Sequence, residues 1–164
     1  MSEVFTATSP SPRLGVGFAL IKGGRPEFVV QKLVELGIDD IRLFTAERSV
    51  VRWDTDKAAR NADRLRRVAR EAVMQCRRAW LPTVHEPTLF SDVADLGGAV
   101  MADRGGSPID LGLPLVLVGP EGGWSDAELA CGLPRVGLGG PVLRSETAAM
   151  AAGTLLAARR ENIV

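Results

Sequence analysis

The feature that most constrains this chain is a unit it repeats: a short apolar run that breaks into a glycine-bearing turn and then a helix start. Near the N-terminus the run GVGFALI (residues 15–21) ends at Lys22-Gly23-Gly24, and Pro26 suits the first turn of a helix. The spacing predicts a helix over 27–36, with Phe28, Leu33 and Leu36 inward and Gly37 as its stop, and then a second strand over 41–44. Two strands joined through a helix at this spacing form a βαβ unit and lie parallel. The unit returns twice over residues 115–150, as LVLVGPEGGWSDAEL and RVGLGGPVLRSETAAM. The expected fold is therefore α/β, a parallel sheet with helices on both faces. Both glycine turns then fall at carboxyl ends of strands, where open α/β sheets gather their ligands.

Between these units the pattern predicts a long helix over 56–80, capped by Asp54 or Thr55 and stopped by Leu81-Pro82. Leu65, Val68, Ala69, Ala72, Val73 and Cys76 recur at helical spacing and form its buried stripe. The opposite face gathers Arg60, Arg64, Arg67, Glu71 and Arg78, with Glu71 and Arg78 two turns apart and so pointing the same way. From Lys57 to Arg78 there are eight basic residues and two acidic ones, on a chain whose net charge is zero. A solvated helix face would favour alternating signs, so the imbalance points to an anionic partner, with Arg60, Arg64, Arg67, Arg70 and Arg78 as its contacts. Further on, the pattern gives a short helix near 89–96, strands at 99–102, 115–118 and 135–138, and a turn at Asp103-Arg104-Gly105-Gly106. A C-terminal helix over 146–160 is nearly apolar all round. Such a helix needs cover on more than one side, which a second subunit would supply.

At 164 residues the chain fits one domain, taken as 14–164, preceded by a Ser-Pro tail or linker remnant over 1–13. No apolar run approaches the roughly 18 residues of a membrane span, and the N-terminus lacks the pattern of a secretion signal, so the cytoplasm is the expected location. Cys76 and Cys131 stand far apart without a CxxC pattern, and His85 is the single histidine. That composition removes most zinc sites, leaves little scope for a Ser-His-Asp triad, and predicts no metal.

The two glycine turns match neither GxGxxG nor GxxxxGK[ST], so dinucleotide and P-loop mechanics are not indicated. In the first, Ser125 and Glu128 have the spacing of a capping box. In the second, Arg144 and Glu146 flank a helix start, where they either pair with each other or orient a substrate. The loop after residue 102 could join both turns around one pocket.

Taken together, VGPEGGWSDAEL and LGGPVLRSETAA resemble the paired signature of the RsmE family of 16S rRNA uridine N3-methyltransferases, within the SPOUT superfamily. The resemblance extends through RPEFVVQKLVELG (25–37), Glu47-Arg48-Ser49 and EAVMQCRR (71–78) with Leu81-Pro82. It implies a parallel sheet ending in a deep C-terminal trefoil knot, a homodimer, and S-adenosyl-L-methionine held by the knot loops. The implied cofactor contacts are Met101, Gly119, Pro120, Glu121, Gly122 and Gly123 on one side, and Leu138, Gly139, Val142, Leu143, Arg144, Thr147 and Ala148 on the other. The implied partner is 16S rRNA in the 30S subunit. The family's usual N-terminal PUA-like domain has no counterpart here beyond the Ser-Pro tail, and Pro141 stands where the second loop usually has arginine. Only nine residues separate Glu128 from Leu138, too few for a full helix between the turns.

Uracil N3 is protonated at neutral pH, so its methylation requires removal of that proton as well as positioning. Glu71 or Glu146 is the candidate proton acceptor, and Arg48, Arg78 and Arg144 are candidate partners of the developing uridine anion. Two other functions compete: an RNA-docking or cofactor-binding domain with little turnover, and an enzyme that seats a nucleotide phosphate on the glycine turn and helix start.

Overall fold

The computed structural model describes residues 8–23 and 25–164; residues 1–7 of the expected tail, and Gly24 of the expected turn, lie outside them. The elements run β1 (Gly15–Ala19), α1 (Arg25–Glu35), β2 (Asp40–Thr45), α2 (Thr55–Cys76), β3 (Thr83–Val84), β4 (Thr88–Leu89) and α3 (Phe90–Ala94). They continue with β5 (Ala99–Ser107), β6 (Leu115–Val118), α4 (Asp126–Leu129), β7 (Arg135–Val136) and α5 (Ser145–Arg160). The strands form one sheet in the order β3-β2-β1-β6-β5-β7, with β4 also pairing β2. Every pairing is parallel, as the βαβ spacing requires.

Alternation along the strands sorts side chains into two cores, one on each face. Val16, Phe18, Ile41, Leu43, Val100, Val116 and Val118 pack with residues of α1, α2 and α5. Ala19, Phe44, Ala99, Met101, Leu115 and Leu117 pack with Phe90 and Val93 of α3 and with Trp124.

Several boundaries differ from the expected ones. The first helix starts at Arg25 and leaves Phe28 46% exposed, because its buried stripe is Pro26, Val29, Val30, Leu33 and Val34. The expected turn at 103–106 is part of β5, which absorbs it through a left-handed Gly105 (φ 74°) and a register shift against β7 between Ala102 and Ser107. The two-residue strands β3 and β4, too short to carry an alternation pattern, pair with successive parts of β2. At β7 only Arg135 and Val136 of the expected strand pair.

The largest correction concerns α2, which Asp54 caps by accepting from the Lys57 N–H (2.8 Å) and which ends at Cys76, four residues early. Arg77 adopts a left-handed conformation (φ 58°) and its N–H caps Val73 O. The chain then turns, and Arg78 leaves the helix face of Glu71. Its guanidinium donates to Val34 O (3.0 Å), Ile38 O (2.8 Å), Gly37 O (3.4 Å) and Asp39 Oδ1 (2.8 Å). Arg160, from the last turn of α5, reaches the other Asp39 oxygen at 2.6 Å, and the Leu14 N–H donates there too at 3.0 Å. One buried carboxylate thus ties together the amino ends of β1 and β2 and the ends of two helices. Burial lowers the Arg78 pKa, and the neighbouring Asp39 charge opposes that shift.

A candidate cofactor cleft at the carboxyl ends of the strands

At the opposite end of the sheet, β6 stops at Val118 and the chain enters the first glycine turn. Trp124 returns from that turn into the core beneath it: its ring stacks on Phe44 (centroids 6.1 Å apart, planes 7° apart) and packs on Phe90 at 5.1 Å. Its Nε1 donates to Ala102 O at 3.0 Å, which fastens the turn to β5. A Cβ on Gly119 would lie 2.9 Å from the Trp124 ring, so only glycine lets backbone and indole approach this closely. Ser125 caps α4 in the expected capping box, and Glu128 completes it: Oε2 accepts from the Ser125 N–H at 2.8 Å. The other oxygen accepts from the Glu47 N–H, also at 2.8 Å, so this buried carboxylate holds the loop after β2 against the glycine turn. In that loop Arg48 reaches Gly122 O at 3.4 Å.

The second turn closes the far side. Gly139 and Gly140 are both left-handed (φ 74° and 69°), and Ser145, at the start of α5, donates its hydroxyl hydrogen to Gly119 O at 2.8 Å. The two turns and the end of β5 therefore wall a single cleft of about 480 Å³. A cleft of this size suits a small-molecule ligand. Val118, Leu129, Leu138, Val142, Leu143 and Ala148 give it an apolar lining, while Asp103, Arg104 and Glu121 supply its charges.

Of the expected cofactor contacts, Gly119, Pro120, Glu121, Gly123, Leu138, Gly139, Val142, Leu143 and Ala148 line this cleft. Met101 does not, because its side chain is fully buried in the core below. Gly122 instead faces Arg48, close enough that a Cβ added to the glycine would lie 3.3 Å from the Arg48 Cβ. Arg144 and Thr147 are exposed outside the lining. The residues missed by motif reading include Ala102, Trp124, Gly137, Gly140, Pro141 and Ser145. Parallel topology alone would have indicated the end of β5, since its carboxyl end borders that of β6.

The expected catalytic residues separate. Glu146 follows the lining residue Ser145 but is not itself in the lining, and Arg25 Nη1 stands 3.6 Å from its Oε1. Arg48 stands beside Gly122, and Arg144 precedes α5 as its N-cap residue. Glu71 is exposed on α2. Arg78 is at the amino ends of the strands, roughly 15 Å from the cleft by strand length, and its shared face with Glu71 does not exist. Nor is Arg78 free for RNA: it is paired and its side chain is 14% exposed. Among the α2 arginines, Arg64 pairs with Glu27 of α1, while Arg60, Arg67 and Arg70 are exposed. Among the described residues no His, Cys, Asp and Glu group could hold a metal, and no helix is long and apolar enough to cross a membrane.

Parallel α/β topology with one cleft across the carboxyl ends, walled by glycine turns, defines the chain as an α/β domain with a cleft of small-molecule size. Residues 8–157 match the family described as RNA methyltransferase domain, and the chain belongs to that family. It is 34% identical over 160 residues to ribosomal RNA small subunit methyltransferase E of Mycobacterium bovis, a match that takes in 86% of this chain and 61% of the relative. The chain thus spans about three-fifths of the length of that relative. Among solved structures it resembles the Neisseria gonorrhoeae ribosomal RNA small subunit methyltransferase E bound to S-adenosyl methionine (29% identity, TM-score 0.76, 94% of this chain and 70% of that one). It also resembles a putative methyltransferase of Legionella pneumophila in complex with the same cofactor (31%, TM-score 0.77, 90% and 67%).

Proposed function

We propose that this chain is the catalytic domain of an S-adenosyl-L-methionine-dependent methyltransferase acting on N3 of a uridine in 16S rRNA of the 30S subunit. The observation that carries the proposal is the single cleft built by both glycine turns, in a chain of the RNA methyltransferase family. The cleft fits the cofactor in kind: apolar walls suit an adenine, close-packed glycines leave backbone groups for its polar edges, and Asp103 and Glu121 suit a cationic ligand. Gly119, Pro120, Glu121, Gly123, Leu138, Gly139, Val142, Leu143 and Ala148 would hold it. When bound, the cofactor supplies an electrophilic methyl group on a sulfonium.

The protein's own residues then have two tasks, to seat the uridine and to take its N3 proton. Glu146 is the proposed acceptor, since of the two expected carboxylates it is the one next in sequence to a lining residue, Ser145, whereas Glu71 lies on α2. Arg48, whose side chain donates to Gly122 O and whose neighbour Glu47 is held by the buried Glu128, and Arg144 are the proposed partners of the uridine anion. Exposed Arg60, Arg67 and Arg70 form the proposed RNA face. The proposal also takes 14–164 as one domain working in the cytoplasm as a homodimer through the half-buried side of α5. A deep trefoil knot belongs to the same proposal.

The test is transfer of labelled methyl to 30S subunits, with and without an N-terminal RNA-binding domain supplied in trans. Transfer to a 16S uridine in either arm is the expected result. Cofactor binding without transfer in both arms would instead favour the RNA-docking or cofactor-binding domain.

A further inference from the structure

Few side chains lining the cleft have hydrogen-bonding capacity left for a ligand. Trp124 spends its Nε1 hydrogen on Ala102 O, and Ser145 spends its hydroxyl hydrogen on Gly119 O. Among the described residues, the charged side chains of the lining are Asp103, Arg104 and Glu121. Arg104 is exposed, and the Glu121 side chain, on the first glycine turn, is 44% exposed. Asp103 is the more enclosed, at 27%, and both of its oxygens are engaged: Oδ1 accepts from the Arg104 N–H at 2.8 Å and Oδ2 from Arg135 Nη1 at 3.2 Å. Arg135, on β7, is tied in turn to the end of α4, its Nη2 donating to Leu129 O at 3.1 Å. The carboxylate thus stands in the cleft with its direction set by β5 itself and, through Arg135, by β7 and α4.

An ionised carboxylate has about four lone-pair sites and no hydrogen to donate. One site on each oxygen is used, which leaves about one on each for a ligand. The group that fits therefore offers two donors side by side. In S-adenosyl-L-methionine that group is the ribose, whose 2′ and 3′ hydroxyls sit on adjacent carbons, whereas adenine N6 and the α-ammonium each carry their hydrogens on one atom. An acidic side chain on a ribose hydroxyl is a recurrent arrangement beyond the carboxyl ends of parallel strands. Arg135 also offsets part of the Asp103 charge, so acceptor sites are the main thing that Asp103 presents.

We infer that Asp103 is a specificity-determining residue of the cleft, accepting hydrogen bonds from the ribose diol of the cofactor. The inference rests on the proposed reading of the cleft as an S-adenosyl-L-methionine site. Calorimetry tests it on wild type, Asp103→Asn and Asp103→Ala, with S-adenosyl-L-homocysteine, which lacks the sulfonium charge, and with its 2′-deoxy and 3′-deoxy forms. Wild type should bind each deoxy form about 10-fold more weakly than the parent compound, the scale of one hydrogen bond to a charged group. Asp103→Ala should weaken the parent compound on the order of 10²-fold and bind all three within about 3-fold of one another, because no acceptor is left for either hydroxyl. Asp103→Asn, close in shape, keeps one acceptor oxygen and should fall between. Since the comparison is between compounds on one variant, a general loosening of β5 weakens all three together and does not imitate this pattern.

Equal binding of the three compounds by wild type, discrimination retained in Asp103→Ala, or a loss shared equally by all three would each overturn the inference. So would a loss in Asp103→Ala much larger for S-adenosyl-L-methionine than for S-adenosyl-L-homocysteine, which would make Asp103 a partner of the sulfonium. None of these results bears on methyl transfer. Discrimination as expected, with no transfer to 30S subunits, would uphold the inference and overturn the proposed function, and a wild-type chain that binds neither compound would overturn both.

Discussion

Replacing Arg78 by alanine tests whether this residue belongs to the framework or to the chemistry. The guanidinium makes four hydrogen bonds, three to carbonyls that end α1 and lead into β2, and one to Asp39. Breaking a buried ion pair by removing one partner costs about 3–5 kcal/mol. Here Asp39 keeps Arg160 and the Leu14 N–H, and partial exposure of the site lets water reach the freed carbonyls, so the lower end, about 3 kcal/mol, applies. For a chain of this length each kcal/mol moves Tm by about 2–4 °C, which gives a fall of about 10 °C. Arg78→Lys should recover less than half of it, since an ammonium does not reproduce the fork that spans Asp39 and the carbonyls. Scanning calorimetry reads Tm, and titration with S-adenosyl-L-methionine well below it should give an affinity within about 2-fold of the parent. An unchanged Tm combined with lost methyl transfer would refute the structural assignment and return Arg78 to the catalytic set.

Three further outcomes follow from the same geometry. Arg77→Gly relieves a left-handed arginine at the end of α2 and should raise stability by about 0.5–1 kcal/mol, read as a higher Tm. Gly119→Ala places a Cβ 2.9 Å from the Trp124 ring; the turn must move, so cofactor affinity by calorimetry should fall at least about 10-fold while destabilisation stays near 1–3 kcal/mol. Replacing Arg60, Arg67 and Arg70 together by alanine should weaken RNA binding and reduce the slope of log K against log salt by about 2, whereas Arg64→Ala, whose side chain already pairs with Glu27, should change the slope less.

The repeated apolar run, turn and helix start was enough to read the parallel sheet and both walls of the cleft, because crossover spacing and glycine at strand ends are local signals. Ser125 with Glu128 was legible as a capping box for the same reason; that Glu128 also holds the Glu47 N–H was not, since the partner lies 81 residues away. Arg78 was misplaced because the periodicity of α2 carries no mark of its end: the left-handed position that usually takes glycine is occupied by Arg77. Met101, a cofactor contact implied by the resemblance, is turned into the core with Leu117 by strand alternation, which a motif match does not register.

If the two glycine turns form one S-adenosyl-L-methionine site, calorimetric titration of this chain with the cofactor, with ATP as the control, reads it without any RNA present. Saturable binding of one cofactor per chain is expected, weakened in Gly119→Ala, with no comparable binding of ATP. Absence of cofactor binding, or ATP binding as tight as the cofactor's, would contradict it.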